Sequence, residues 1–497
     1  MANGTAWPGR LLVPSGDEPR ISVNARRGIS VFSGGSAANN LVDTFNDIAE
    51  QHAGTLSYII PISDNGGSTS ELIRVLGGPG IGDLRSRLVR LIPDSDDPGS
   101  EAHAIKALFN HRLPDDGGTA RQEWLDIVEV QHSIWDHISS PKKELIRSFL
   151  ITVNLEIVKR LRPSSRFDFS KASIGNLFIT GARLFTGSLE SAIYLLSSIC
   201  AVPPSIAVLP AINTNFSHHI SATLADGTVI AGQNNISHPS TGHDTVPGHR
   251  VSLSDSTFPP HASTEDTDRV EDANLPGTLP TLRASQINFT KPTAVAASNG
   301  SSELPHNPDD LSSRITHLAY ISPYGMQIRL DANSRVLSAL NSSSAVIYSI
   351  GSLYTSIIPS LILKGVGSAL ASSSIRSKIL ILNGTTDRET GPSWSPFTAL
   401  DFVQAIADAC CQSQGREEAE ISELRKYVTH VVYLEGDGVP KVDRAAFSNV
   451  GIETIKTYGR RESGEVRYDA EALRGALGMI LGRGAKGDRS RRNTMER

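Results

Sequence analysis

At 497 residues the chain can bury a sizeable core, and its length allows two or three domains. A net charge of −5 and a pI of about 6.3 exclude the global basic field expected of a nucleic-acid partner, and only three cysteines (Cys200, Cys410, Cys411) exclude a disulfide framework and a CxxC metal site. No window holds the roughly 18 unbroken apolar residues of a membrane helix, and residues 1–27 lack a signal-peptide core, so the sequence reads as cytoplasmic, without membrane or nucleic acid among its partners.

Residues 28–33 (GISVFS) predict a short buried strand and 34–36 a turn. Leu41, Val42, Phe45, Ile48 and Ala49 then fall on one face of a helix that Gly54 ends. A second strand follows at 56–62 (LSYIIPI), then the loop 63–68 and a helix over 69–76, which together make a βαβ unit with parallel strands. From about 98 to 200 the pattern is helical, over 124–138, over 142–161 and in two stretches around Gly187. Residues 205–209 predict a strand, and 222–232 a hairpin turning at Asp226-Gly227 as a type I′ pair.

Between about 237 and 308 Ser, Thr, Pro, His, Asn and Asp dominate and apolar periodicity vanishes, which predicts a disordered insertion. The α/β alternation then resumes, with strands at 315–321, 345–350, 378–382 and 428–434 and helices around Val336, Leu361 and Val403. The expected architecture is a Rossmann-like, three-layer α/β fold: a mostly parallel, doubly wound sheet with a helical subdomain inserted early. The expected organisation is a flexible segment 1–27, one α/β domain formed by 28–236 and 311–481, a disordered insertion at 237–310, and a basic flexible tail at 482–497.

In open α/β sheets ligands sit beyond the carboxyl ends of the strands. Four loops there share Gly and hydroxyl chemistry: 33–36 (SGGS), 63–68 (SDNGGS), 351–356 (GSLYTS) and 383–386 (NGTT). Glycines admit close approach and expose N–H groups, a helix start favours an anion, and hydroxyls add donors to phosphate oxygens. Each loop alone is as well explained by a turn or a helix cap; four at equivalent strand ends point to a phosphorylated ligand. No Walker A motif and no complete GxGxxG occur, so charge on a diphosphate must be met otherwise. Asp64 is the natural Mg²⁺ ligand, and the stretch Gly82-Asp83-Leu84-Arg85 brings a guanidinium to a helix start; the plainer reading makes Arg85, Arg87 and Arg90 a solvated helix face. Asp96-Asp97 and Asp115-Asp116 read as solvated loops, His218-His219 lacks partner ligands at metal spacing, Cys410-Cys411 reads as core, and no GxSxG elbow exists.

With those loops in view the sequence resembles the family that joins the CofD-like 2-phospho-L-lactate transferases with the bacterial gluconeogenesis factors of the UPF0052 group, which bind nucleotide sugars. The matching strings span most of 28–236 and 314–457: 32–36 (FSGGS), 63–74 (SDNGGSTSELIR), 80–88 (GIGDLRSRL), 173–177 (SIGNL), 351–359 (GSLYTSIIP) and the segment from Asn383 to Glu389-Thr390. The resemblance implies ligand contacts at Gly34, Gly35, Ser36, Gly175, Asn176, Gly351, Ser352, Tyr354, Thr355 and Ser356, and the loops themselves add Asn65, Gly66, Gly67, Ser68, Gly82, Asp83 and Asn383 as candidates. It also implies Mg²⁺ at Asp64; Asp64 and, from the stretch after Gly82, Arg85 are the catalytic candidates. The transferase branch moves a phospholactyl group from a guanosine diphosphate donor to a deazaflavin alcohol and releases GMP, so charge neutralisation and positioning would carry such a reaction.

Three departures stand out. Asn65 replaces the second of two acids, Ser349-Ile350 replaces a Gly-Pro, and the insertion at 237–310 is foreign to short prokaryotic members and suggests a fungal-type relative. Three readings stay open: a Mg²⁺-dependent transferase using a nucleotide diphosphate donor, a non-catalytic regulator of carbon metabolism that senses a nucleotide sugar, and a scaffold working through the insertion. A homodimer also stays open.

Overall fold

The computed structural model describes residues 28–495 except 64, 65, 67, 96, 162–165, 239–309, 323, 324, 463 and 464, and except the side chains of 68, 462, 465 and 483–495. Gly28–Phe32 (β1) is buried along its whole length, as its apolar, β-branched sequence requires of a strand covered on both faces. It lies between Leu56–Ile60 (β2) and a strand from the far half of the chain, so Val31 is registered against Tyr58 on one side and Ile347 on the other. Beyond β2 lies Ile206–Pro210 (β3). The strands His219–Leu224 (β4), Val229–Ala231 (β5), Ile315–Ile321 (β6) and Gln327–Ile328 (β7) leave this sheet to form a separate antiparallel one in the order β5-β4-β6-β7. The central sheet continues with Ser343–Tyr348 (β8), Ser377–Ile381 (β9), His430–Tyr433 (β10) and Glu453–Lys456 (β11). Its order is β11-β10-β9-β8-β1-β2-β3, and every pairing is parallel. Gly459–Glu462 (β12) and Glu465–Tyr468 (β13) form a small antiparallel hairpin.

This order places the site. The chain moves outward from β1 through β2 to β3, then returns to β1's other edge with β8 and moves outward the opposite way. Connections on the two sides therefore diverge, and a crevice opens between the carboxyl ends of β1 and β8. The helical subdomain between β2 and β3 packs tightly at Gly181, where an added Cβ would collide with the Phe149 carbonyl.

Three expectations are corrected. The strand at 315–321 belongs to the antiparallel sheet, where it pairs with β4. The helix expected over 124–138 runs instead over Gly117–Val128, because Asp116 caps its start, accepting from the Thr119 N–H at 2.8 Å, and Val130 at φ +63° breaks it. The hairpin between β4 and β5 turns with Gly227 alone left-handed, at φ +83°, so it is a type I turn followed by a left-handed glycine rather than type I′. Ala470–Met495 is one helix whose backbone continues through much of the segment read as a tail. The insertion read at 237–310 lies outside the described residues from 239 to 309.

Candidate functional site

After β1 the chain passes through Ser33, Gly34 and Gly35 into a short 3₁₀ helix, Ala37–Leu41. Ser36 at its start is exposed, while both glycines are buried. A Cβ on Gly34 would lie 2.5 Å from the Ser356 Oγ, and one on Gly35 would lie 2.9 Å from the Asp83 Cγ and closer still to its Oδ1. The glycines are thus required by the protein's own side chains: Ser356 from the loop after β8 and Asp83 from the helix Gly82–Arg90 close over this turn.

Arg87 holds the turn from beneath. It is fully buried, and it donates to the Ala38 carbonyl at 3.3 Å, the Ser33 hydroxyl at 3.3 Å and the Gly34 carbonyl at 3.2 Å, while its guanidinium stacks 4.6 Å over the Tyr58 ring. Burial pulls its pKa down to about 10, so it remains charged at neutral pH. Arg85 is likewise buried, donating to the Asn176 Oδ1 at 3.4 Å and the Asn110 Oδ1 at 3.2 Å, with its pKa lowered to about 10, chiefly by burial. Asn176 in turn donates to the Thr69 hydroxyl at 3.3 Å. Gly175 makes room for this chain, since a Cβ there would meet the Phe109 carbonyl at 2.6 Å and Arg85 Cδ at 2.8 Å. A solvated helix face therefore does not describe Arg85 or Arg87. Arg90 is the partly exposed member, paired with Asp43 at 2.5 Å.

The loop after β8 is organised by a carboxylate that the sequence reading left without a role. Glu389, in the loop after β9, is buried. Its Oε2 accepts the Tyr354 and Thr355 N–H groups at 2.9 and 3.0 Å, and its Oε1 accepts the hydroxyls of Thr355 and Ser237, both at 2.7 Å. These N–H groups open the π-helical turn Leu353–Ile357, so Glu389 sits where an anion belongs at a helix start. Burial, then the charge of neighbouring Asp387, pushes the Glu389 carboxyl up to about 7. Burial also raises Asp387, which caps the turn Arg388–Thr390 by accepting the Thr390 N–H at 3.1 Å and is bonded to the Ser352 side chain.

Tyr354 and Thr355 were expected to touch ligand, but their polar groups are taken up inside the protein. The Tyr354 hydroxyl donates to the Ile315 carbonyl at 3.0 Å, and burial raises its pKa. Asn383 is a brace: its Oδ1 accepts the Gly351 N–H at 3.0 Å and its Nδ2 donates to the Gly351 carbonyl at 2.9 Å, tying the loops after β8 and β9 together. Gly351, at φ +138°, adopts a backbone conformation that favours glycine.

Between these loops lies a cleft of ≈ 580 Å³. Of the expected ligand residues, Gly351, Ser352 and Asn383 line it, joined by Asn39, Asn40, Arg90, Thr385 and Asp387 and by Val466, Arg467 and Tyr468 of the β12–β13 hairpin. Tyr468 anchors the hairpin there, donating to the Leu382 carbonyl at 2.6 Å and the Val432 carbonyl at 3.1 Å beyond β9 and within β10. Asp64, Asn65 and Gly67 lie outside the described residues, and Ser68 is described by its backbone alone. Gly66 accepts the Thr69 N–H through its carbonyl at 3.2 Å, and Gly82 opens the helix that carries Asp83 and Arg85. The signal for Arg90 was in the sequence, as the outermost arginine of its helix. Glu389 entered only as the end of the string that begins at Asn383, with no role, and Arg467 carried no signal, because only the crossing of distant loops gives them a place.

Among the described residues, no group of three or more His, Cys, Asp or Glu gathers into a metal cage. Asp387 is the carboxylate on the cleft wall. A donor set this sparse fits Mg²⁺ only in the form in which ligand phosphates complete its coordination.

The sequence model described as 2-phospho-L-lactate transferase CofD matches residues 29–478. An uncharacterized protein of Saccharomyces cerevisiae is 38% identical over 457 residues, covering 88% of this chain and 97% of the yeast protein. A gluconeogenesis factor of Halalkalibacterium halodurans is 27% identical over 147 residues, 28% of this chain and 43% of its own length. The crystal structure of a UPF0052-family protein from Bacillus halodurans superposes with a TM-score of 0.53 at 19% identity, covering 91% of this chain and 98% of that one, which bears on the fold alone. With its match running from β1 into the final helix, the chain belongs to the CofD family.

Proposed function

We propose that the protein binds a nucleotide diphosphate or nucleotide sugar in the cleft at the β1/β8 switch point, with Mg²⁺ between the ligand's diphosphate and Asp64. The observation that carries this reading is the position of the cleft: it opens where the strand order reverses and is walled by the loops after β8 and β9 and the 3₁₀ helix Ala37–Leu41 that follows β1. Gly351 and Ser352 line the cleft, where Asn383 holds the Gly351 N–H and Asp387 the Ser352 side chain, and Arg90 and Arg467 supply the positive charge that a P-loop lysine supplies elsewhere. Asp64, which follows β2 in the sequence, would hold the ion, which supplies neutralisation of phosphate charge. Glu389 and Arg87 act behind the cleft and Asn383 on its wall, keeping the loops in place before ligand arrives.

As a transferase, the protein would hold a diphosphate donor while an acceptor hydroxyl displaces nucleotide monophosphate. Preorganised positive charge is then the chief contribution of the protein. Asn65 favours a second reading: with one acid where two were expected, the same cleft serves a sensor of nucleotide sugars, in keeping with the local similarity to a gluconeogenesis factor. Incubation with UDP- and GDP-linked donors plus Mg²⁺, with release of nucleotide monophosphate as the readout and Asp64→Asn as the blank, separates the two. Release that Asp64→Asn abolishes supports the transferase; saturable binding without release from any donor supports the sensor. Release undiminished in Asp64→Asn contradicts the role given to Asp64.

A further inference from the structure

Beside Tyr354, a groove of ≈ 890 Å³ separates β6 from the helix Ala399–Ser413. The helix turns Asp401, Gln404, Ala405, Asp408 and Gln412 toward it, a spacing of three, four, seven and eleven residues that keeps them on one face. The floor is apolar and aromatic, with Tyr354 and Phe397 meeting edge to face at 6.2 Å. Small Ala405 and Ala409 leave the space above the floor open.

The two carboxylates of this face, two turns apart, are treated differently. Asp401 has its cation: Arg314 lies 3.3 Å away and stacks its guanidinium 4.9 Å over the Phe397 ring. Asp408 has none among the described residues. Its Oδ1 accepts the Gln404 amide at 2.9 Å and the Ala419 N–H at 2.8 Å, and its Oδ2 has no hydrogen bond among them. The other charges around the groove do not fill the gap. Arg329 donates to the carbonyls of Gln412 and Ser413, Arg416 is paired with Glu423, and Glu417 and Glu418 add negative charge. Half-burial raises the Asp408 pKa, as expected of a carboxylate short of a cation.

We propose that this groove is a second ligand site, for a small organic cation that sets an ammonium against Asp408 and a flat apolar body on the Tyr354–Phe397 floor. The site repeats with a ligand what Arg314, Asp401 and Phe397 do within the chain. It is independent of the cleft reading. Its neighbour Tyr354 nevertheless belongs to both regions, since its ring floors the groove while its N–H is held by Glu389.

The test uses three probes of matched shape: tryptamine as the cation, 3-ethylindole as its neutral counterpart and indole-3-propionate as the anion. Binding to the full chain is titrated by ligand-observed NMR. Tryptamine is expected to bind at least about tenfold tighter than either partner, the scale of one partly desolvated charge-assisted contact. Asp408→Asn keeps the acceptor that holds Ala419 and Gln404 while removing the charge, and it should erase that preference. Ala405→Phe should close the groove to all three probes. No binding of tryptamine, equal binding of 3-ethylindole, or a preference that survives in folded Asp408→Asn would overturn the proposal.

Discussion

Glu389 grips Thr355 at both ends: one carboxylate oxygen accepts the Thr355 hydroxyl at 2.7 Å and the other its backbone N–H at 3.0 Å. The acid comes from the loop after β9 and the threonine from the turn after β8, so this pair fixes the spacing of two walls of the cleft. It also explains why the helix start after β8 is not itself an open phosphate site: a side chain of the protein already occupies it.

Removing that anion should be costly. Glu389→Ala leaves four buried donors without their acceptor and is expected to lower stability by about 2–4 kcal/mol in urea denaturation. Glu389→Gln, which keeps the shape and part of the accepting capacity, should lose about 1–2 kcal/mol. A loss within experimental error in the alanine variant would contradict the clamp.

The same carboxylate gives stability a defined pH dependence. Its folded pKa of about 7 lies above an ordinary value of 4.5, so the folded state binds the proton more tightly. The sign follows: this contribution is fully present below pH 4.5 and is lost as pH rises through 7. The stability of wild type relative to Glu389→Gln should therefore fall across that window, by an amount on the order of 3–4 kcal/mol, since each pKa unit corresponds to about 1.4 kcal/mol. A difference that is flat or grows with pH would show the carboxyl to be ionised throughout.

Gly35 and Asp83 should behave as a coupled pair. Gly35→Ala forces a methyl group into the Asp83 carboxylate and is expected to cost about 1–3 kcal/mol. Asp83→Ala, combined with it, should recover a substantial part of that loss in a double-mutant cycle. Strict additivity would show that the contact does not constrain the turn.

Arg87 should resist its conservative replacement. Its fork reaches two carbonyls and a hydroxyl while its plane stacks on Tyr58, a geometry that a lysine ammonium cannot reproduce. Arg87→Lys is expected to cost about 2–4 kcal/mol and to loosen the 33–38 turn, read as faster amide hydrogen exchange there. Unchanged exchange at Gly34 and Gly35 would contradict its role beneath the turn.

Much of this architecture was legible because its signals are local. The apolar runs at 28–32, 56–60 and 377–381 announce buried parallel strands, and the Gly-Ser turns that follow mark their carboxyl ends. What could not be read depends on pairing at a distance. A strand such as Ile315–Ile321 looks the same whether it joins a parallel or an antiparallel sheet. The hairpin that walls the cleft is short, Gly459–Glu462 with Glu465–Tyr468, and only its second strand alternates, over four residues. Tyr354 and Thr355 sit in a ligand-like string, yet the π-helical turn directs their polar groups to Glu389 and Ile315. The string marks the loop; the fold decides which of its atoms remain available.

As proposed, the ligand of the cleft at the β1/β8 switch point is a nucleotide diphosphate. Hydrogen exchange of the full chain, measured with saturating UDP or GDP and Mg²⁺ against the free protein, tests it most directly. A ligand at a hundred times its dissociation constant stabilises the fold by about 2.7 kcal/mol, enough to slow exchange wherever it binds. The account predicts that protection concentrates at the turn after β1, at Gly351 and Ser352, and along the β12–β13 hairpin, and that Arg467→Ala weakens it. Saturable binding with protection elsewhere, or no protection with any nucleotide diphosphate, would contradict the account.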